Sequence, residues 1–256
     1  ILSHLLSFHR AIGSLNEPKA LWHAVYPGED LVGSYTDGDA RYRLGAADAT
    51  AEVCRRAHRL YGAYLLATGT RRVVDKYPEM LFRVPFLRAI FPDARFLFLV
   101  RNGWDVVTSI AGWSTKHGAE ENGRLQNWWG RDGRKWRLLV EQIVPDDPDL
   151  ASLADALRAI TSEHDRAAVE WIIAMNEGAR LLRELPEATL RVNYEELVAD
   201  PERVLTQIME FAGVSLDNTL IEYARGELSA PESRPPVALH ADLQKPFERV
   251  LSRMGY

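Results

Sequence analysis

The sequence predicts an α/β fold, a central parallel sheet flanked by helices in three layers. Three observations carry that expectation. Residues 95–101 read Arg-Phe-Leu-Phe-Leu-Val-Arg, and five consecutive apolar residues suit a short strand buried on both faces. A helical stripe of Leu81, Val84, Leu87, Ile90 and Phe91 precedes that run, and a second helical pattern, Trp104–Trp113, follows it. A β-like run, Arg71-Arg-Val-Val-Asp-Lys76, stands before the first stripe. Strand, helix, strand, helix in that order implies parallel pairing through right-handed crossovers.

The remaining elements follow in chain order. Ile1, Leu2, Leu5, Leu6 and Ile12 recur at helical spacing and predict a helix already under way at residue 1. Gly28, Gly33, Gly38 and Gly45 lie among Asp and Tyr over residues 27–50, which predicts an irregular exposed segment. A helix is expected from Ala47 to Leu66, with Cys54 on its buried side. Residues 114–165 break the alternation, with four glycines, Asn127-Trp128-Trp129 and a Pro145-Asp-Asp-Pro148 turn. They are expected to form a mostly helical insertion, assigned to the acceptor side of any site. A long helix spans His164 to Leu185, and Thr189–Tyr194 forms a third strand. Pro201 opens a helix running to Phe211, with Gly213 as its C-cap. Residues 229–236 read as irregular, and an amphipathic helix occupies Leu239–Met254. No repeat or low-complexity tract divides the chain, so residues 1–256 are expected to form one domain.

Composition narrows the function. Lys+Arg 31 against Asp+Glu 36 leaves a net charge of −5 over 256 residues, so no global basic field exists to hold a nucleic acid. The single cysteine excludes an internal disulfide and a cysteine-based zinc site, and favours a reducing, cytoplasmic setting. No apolar run reaches the roughly 20 residues that span a bilayer, so no stable membrane insertion is expected. The seven histidines show no metal-ligand spacing, and no metal is implied.

In parallel sheets, ligands collect beyond the carboxyl ends of the strands. Asp75, Lys76 and Arg101 fall at that edge. Arg101 sits between a buried strand and a helix start, where guanidinium and helix N-terminus both favour an anion; an ordinary salt-bridged arginine fits the position equally. Ser109, two turns into the helix, is either an anion contact or a plain surface serine. Lys76 either neutralises charge on a leaving oxygen or is a solvated strand-end lysine. Glu17, in Leu15-Asn-Glu-Pro18, is held extended by the proline and suits either a general base or a loop glutamate. Gly130-Arg-Asp-Gly-Arg-Lys135 is a solvated turn or a contact to an anionic acceptor. Trp128, Trp129 and Trp136 either stack on an acceptor or fill a core.

The run from Asp75 to Ser109, with Lys76-Tyr77-Pro78, Phe91-Pro92-Asp93-Ala94 and Arg101-Asn102-Gly103-Trp104-Asp105 within it, closely resembles the sulfotransferases. These use 3′-phosphoadenosine-5′-phosphosulfate (PAPS) as donor and release PAP. The resemblance extends to Val192-Asn-Tyr-Glu-Glu-Leu-Val-Ala-Asp-Pro201 and to the terminal Arg253-Met-Gly-Tyr256, and is weakest over residues 27–50 and 114–165. The spacing is closest to the bacterial and tyrosylprotein branches. The Lys-Thr-His motif of the cytosolic small-molecule enzymes is missing, so a histidine base at that point is excluded.

The resemblance implies a P-loop-nucleotide-hydrolase-like sulfotransferase fold and in-line transfer of a sulfuryl group to an acceptor hydroxyl. It implies Arg101 and Ser109 on the 3′-phosphate, Tyr194 beside the adenosine, Lys76 on the transferring group and Glu17 as base. Carboxylates are too weakly basic to deprotonate an alcohol beforehand, so the proton would leave as the new bond forms. The acceptor would be a small molecule or a carbohydrate, glycolipid or other alcohol, in preference to a peptide tyrosine. The family's first strand and phosphosulfate loop would lie upstream of Ile1, and no Gly-x4-Gly-Lys-Ser/Thr loop occurs within the chain. A P-loop small-molecule kinase and a non-catalytic relative are the alternatives.

Overall fold

The computed structural model describes residues 1–121, 123–229 and 234–256. The elements run α1 (Leu2–Leu6), β1 (Ile12–Asn16), α2 (Lys19–Val25), α3 (Ala51–Thr68), β2 (Arg72–Lys76), α4 (Val84–Ile90) and β3 (Phe96–Val100). They continue with α5 (Gly103–His117), β4 (Ala119–Glu121), β5 (Arg124–Asn127), β6 (Gly130–Arg131), α6 (Arg134–Gln142), α7 (Ala154–Leu157) and α8 (Glu163–Glu184). The chain closes with β7 (Thr189–Asn193), α9 (Tyr194–Ala199), α10 (Pro201–Ala212), α11 (Asn218–Glu227) and α12 (Ala241–Met254). Part of the tail expected to be irregular, residues 230–233, lies outside the described residues.

The chain divides into two compact units, each gathered from separate stretches. One comprises Ile1–Tyr26, Leu44–Leu99 and Glu184–Pro231; the other comprises Pro27–Arg43, Val100–Arg183 and Glu232–Tyr256. In the first, β1 and β2 pair in parallel from Ile12↔Arg72 to Asn16↔Lys76, and β3 neighbours β7. Strand alternation sends successive side chains to opposite faces. Val73 and Leu15 pack with Trp22, Val53, Tyr61 and Phe86 from the α2–α4 side. Val74 and Ile12 pack with Leu5, Leu205 and Ile208 from the α1 and α10 side. Helices therefore cover both faces of the paired strands, the layering that the apolar strand pattern predicts.

The opening segment corrects one expectation. The helix stops at Leu6, and Ile12, counted in its stripe, begins β1. Gly13 explains why the chain can run flat there. A Cβ on it would stand 2.5 Å from Tyr64 Cε1, so only glycine lets the strand pass beneath that ring, whose hydroxyl donates to the Ser14 carbonyl at 3.0 Å.

The second unit departs from the helical expectation for residues 114–165. Three strands within it, β4, β5 and β6, pair as an antiparallel sheet in the order β4-β5-β6. Gly130 there has φ 77 and its Cα faces Val32 so closely that a Cβ would lie 2.8 Å from the Val32 backbone. The glycine-rich 27–43 stretch is organised by a carboxylate. Buried Asp30 accepts four backbone N–H bonds, from Gly33, Ser34, Tyr35 and Thr36, at 2.8–3.0 Å. The core of this unit centres on Trp104, Trp171 and Phe247, with ring centroids 4.5 Å and 4.9 Å from Phe247.

Candidate functional site

The first unit builds a charged pair at the carboxyl ends of β1 and β2. Because the strands are parallel and Asn16 is level with Lys76, the residue after β1 falls beside the last residue of β2. The Glu17 N–H donates to the Lys76 carbonyl at 2.6 Å. The Lys76 ammonium donates to Glu17 Oε1, and Lys19 Nζ stands 3.7 Å from Glu17 Oε2. The Glu17 and Lys76 side chains are 32% and 42% exposed, so both can meet a solute.

Glu17 is not held extended, as the following proline predicts, but occupies φ 48, where its N–H and carbonyl are both tied into the turn. That left-handed conformation disfavours residues bearing a Cβ, and such strained positions cluster at functional sites. Pro18 follows, and the Lys19 N–H returns to the Glu17 carbonyl at 2.7 Å, so the turn into α2 is tight on both sides.

Asp75 does not join Lys76 at the open edge, where the sequence placed it. Alternation turns its side chain into the helices. Oδ2 accepts from Trp22 Nε1 of α2 at 2.8 Å and from the Tyr61 hydroxyl of α3, while Oδ1 is buried with no hydrogen-bond partner. Burial pushes its pKa up to about 6, against the lowering effect of the two donors. The Tyr61 hydroxyl is pushed up as well, by burial first and then by the Asp75 charge. Trp22, Lys19 and Tyr61 carry no motif, and only the tertiary pairing of β1 with β2 brings them to this end.

Tyr194, in the same unit, is the half-buried first residue of α9, directly after β7. In the second unit, Arg101 precedes α5, which Asn102 caps by accepting the Trp104 N–H at 2.9 Å. Arg101 Nη2 is 3.5 Å from Asp105 Oδ2, and its carbonyl accepts from Trp171 Nε1 at 3.3 Å. Asp105 is buried and also accepts the Arg234 N–H at 3.1 Å. Ser109 is exposed on α5. The structure thus brings Glu17 and Lys76 into contact, and gives Arg101 the salt bridge that its position allowed.

The aromatic acceptor expectation narrows. Trp129 and Trp136 are buried and meet edge to face at 5.6 Å, so they are core. Trp128 is half-buried, donates to Glu170 at 2.6 Å and lies 4.7 Å beneath the Lys135 ammonium. Lys135 is itself buried against Glu170 at 2.7 Å. The basic Gly130–Lys135 stretch is therefore partly structural. Trp113, beside Trp128 at 5.5 Å, is the exposed ring of this group.

Residues 2–218 match the profile described as the sulfotransferase family. The chain belongs to the sulfotransferase family. It is 23% identical over 246 residues to nodulation protein NoeE of Sinorhizobium fredii (strain NBRC 101917 / NGR234), covering 88% of this chain and 49% of that protein. The chain thus spans about half the length of this curated relative. Two solved sulfotransferase domains share its fold. The domain from the curacin biosynthetic pathway superposes with TM-score 0.54 at 15% identity, over 100% of this chain and 92% of that one. The domain from the Synechococcus PCC 7002 olefin synthase gives TM-score 0.54 at 18% identity, over 99% and 90%. The sulfotransferase fold expected from the Asp75–Ser109 run is the fold observed.

Among the described residues, no group of three His, Cys, Asp or Glu stands together to hold a metal ion, and no helix is long and apolar enough to cross a membrane.

Proposed function

We propose that the chain transfers a sulfuryl group from PAPS to the hydroxyl of a small-molecule or carbohydrate acceptor, releasing PAP. The observation that carries this reading is the contact of Glu17 with Lys76 at the carboxyl end of two paired parallel strands. It sets a proton acceptor and a cation side by side, both open to solvent. PAPS, when bound, supplies the sulfuryl group and a leaving phosphate. Glu17 takes the proton of the acceptor hydroxyl as its oxygen bonds to sulfur. Lys76 donates hydrogen bonds where negative charge grows, which accelerates transfer only so far as those bonds strengthen in the transition state.

Arg101 and Ser109 hold the 3′-phosphate, with the N-terminus of α5 adding a favourable field. Arg101 must then share its guanidinium between Asp105 and the phosphate. Tyr194 lies by the adenosine. As in phosphoryl transfer, positioning and charge carry most of the acceleration. Exposed Trp113 and half-buried Trp128 offer an aromatic surface suited to a sugar face. The reaction belongs to the cytoplasm on this reading, consistent with the one free cysteine, Cys54.

The test is Glu17→Gln. Turnover of ³⁵S-labelled PAPS with a panel of sugars, lipids, phenols and peptides should be lost, while PAP binds as tightly by calorimetry. An active Glu17→Gln enzyme removes the base assignment. Tight binding of ATP with Mg²⁺ in place of PAP would make the chain a kinase, and PAP binding without transfer to any acceptor would make it a binding protein.

A further inference from the structure

We infer that Asp75 is a positioning residue for Glu17, acting through the Trp22 indole. This rests on the reading of Glu17 as the base. Asp75 does not touch Glu17, yet the last two residues of β2 hold the β1–α2 turn from two directions. Lys76 grips it by its carbonyl, which accepts the Glu17 N–H at 2.6 Å, and by its ammonium. Asp75 grips α2, five residues further on, by accepting Trp22 Nε1 at 2.8 Å.

Between those two anchors lie Glu17, with φ 48, Pro18 and the first turn of α2, in which the Trp22 N–H returns to the Pro18 carbonyl at 3.1 Å. A glutamate in the left-handed region relaxes toward negative φ unless its flanks are fixed. Rotation at Glu17 would swing α2 away from the sheet, and the Trp22–Asp75 bond opposes that swing. Tyr61 of α3 donates to the same oxygen and fixes where Oδ2 points. The Trp22 and Tyr61 rings meet at 5.6 Å, so two helices converge on one carboxylate oxygen. Across the strand pair, the residue level with Asp75 is apolar Leu15. Trp22 and Tyr61 are thus the polar groups that approach Asp75 from the helices packed over it.

A carboxylate with an orphaned buried oxygen is a costly way to fill a core site. It is explained if its other oxygen holds a turn whose strain the reaction needs. Misplacement of a reacting group by about 1 Å can cost 100-fold in rate.

The experiment compares Asp75→Ala, Asp75→Asn and Trp22→Phe with Glu17→Gln as reference. The rate readout is single-turnover release of sulfate from ³⁵S-labelled PAPS with water as acceptor, and affinity is read with PAP. Asp75→Ala should lower the rate about 10- to 100-fold with PAP affinity unchanged, and Trp22→Phe should lower it in the same direction. Asp75→Asn, whose amide oxygen still accepts both bonds, should recover most of the loss. A second readout needs no chemistry: the Lys76 ammonium NMR signal, slowed in exchange by Glu17, should broaden or vanish in Asp75→Ala and persist in Asp75→Asn. A Lys76 signal unmoved in both Asp75→Ala and Trp22→Phe overturns the inference, as does a wild-type rate in both. A fully active Glu17→Gln with a lost Lys76 signal in Asp75→Ala would instead fault the base assignment and leave the anchor standing.

Discussion

Asp75→Asn should change how stability depends on pH, and the size of the change follows from burial. The carboxyl titrates at about 6 in the folded chain instead of its ordinary 3.8. Between those values the folded state keeps a proton that the unfolded state has released. Stability therefore falls as pH rises from about 4 through about 6, then levels. At about 1.36 kcal/mol per tenfold change, the penalty at neutral pH is roughly 3 kcal/mol. The asparagine variant carries none of it. Its amide nitrogen takes over the orphaned Oδ1 position, and that cost of about 1–3 kcal/mol is the same at every pH. Urea unfolding of both proteins, followed by tryptophan fluorescence between pH 4 and 7.5, separates slope from offset. The wild type should lose roughly 2.5 kcal/mol relative to Asp75→Asn across that range, about 0.5 kcal/mol of the penalty being already present at pH 4. Parallel stability curves would refute the argument, since they would mean Asp75 is ionised at no extra cost.

Other substitutions test separate links. Arg101→Ala should weaken PAP binding about 10- to 100-fold, as expected for loss of a charge-assisted contact; unchanged affinity in calorimetry would remove Arg101 from the nucleotide site. Gly13→Ala forces a methyl to within 2.5 Å of Tyr64 and should destabilise by about 1–3 kcal/mol, read as a lower urea midpoint. Lys135→Ala leaves Glu170 half of a broken buried pair and should cost about 3–5 kcal/mol; a thermal midpoint within a degree of wild type would contradict it.

Much of this fold could be read from residue order. The apolar run at Phe96–Val100 and the Arg72–Lys76 strand stand where expected, as do the Pro201 start and the left-handed Gly213 stop of α10. Those signals are local, set by burial on both faces and by the backbone limits of proline and glycine. What escaped was β1. Five residues carrying Gly13 and two polar side chains have no strand signature of their own; they become a strand because β2 offers them a parallel partner. The same gap hid the Trp22–Asp75–Tyr61 junction. Asp75 was visible as a strand-end charge, but its face depends on a register that no local pattern records. Trp129 and Trp136 were open to either reading until neighbours 30 or more residues away buried them, as when Glu163 accepts the Trp129 indole at 2.7 Å.

The threading of the chain through its two units bears on how the protein can be made. Its boundaries, at Tyr26/Pro27, Arg43/Leu44, Leu99/Val100, Arg183/Glu184 and Pro231/Glu232, mean that no single cut yields either unit as one contiguous fragment. During synthesis, the strand pair bearing Glu17 and Lys76 can form once β2 is made. The α10 residues that cover its other face, Leu205 and Ile208, emerge some 130 residues later, roughly 6–25 s at ordinary translation rates of 5–20 residues per second. Through that interval the Val74 and Ile12 face of the sheet has only the short α1, with Leu2, Leu5 and Leu6, to cover it. Truncations upstream of α10 should therefore be insoluble rather than merely inactive, and slowed elongation between β2 and α10 should lower the yield of folded protein.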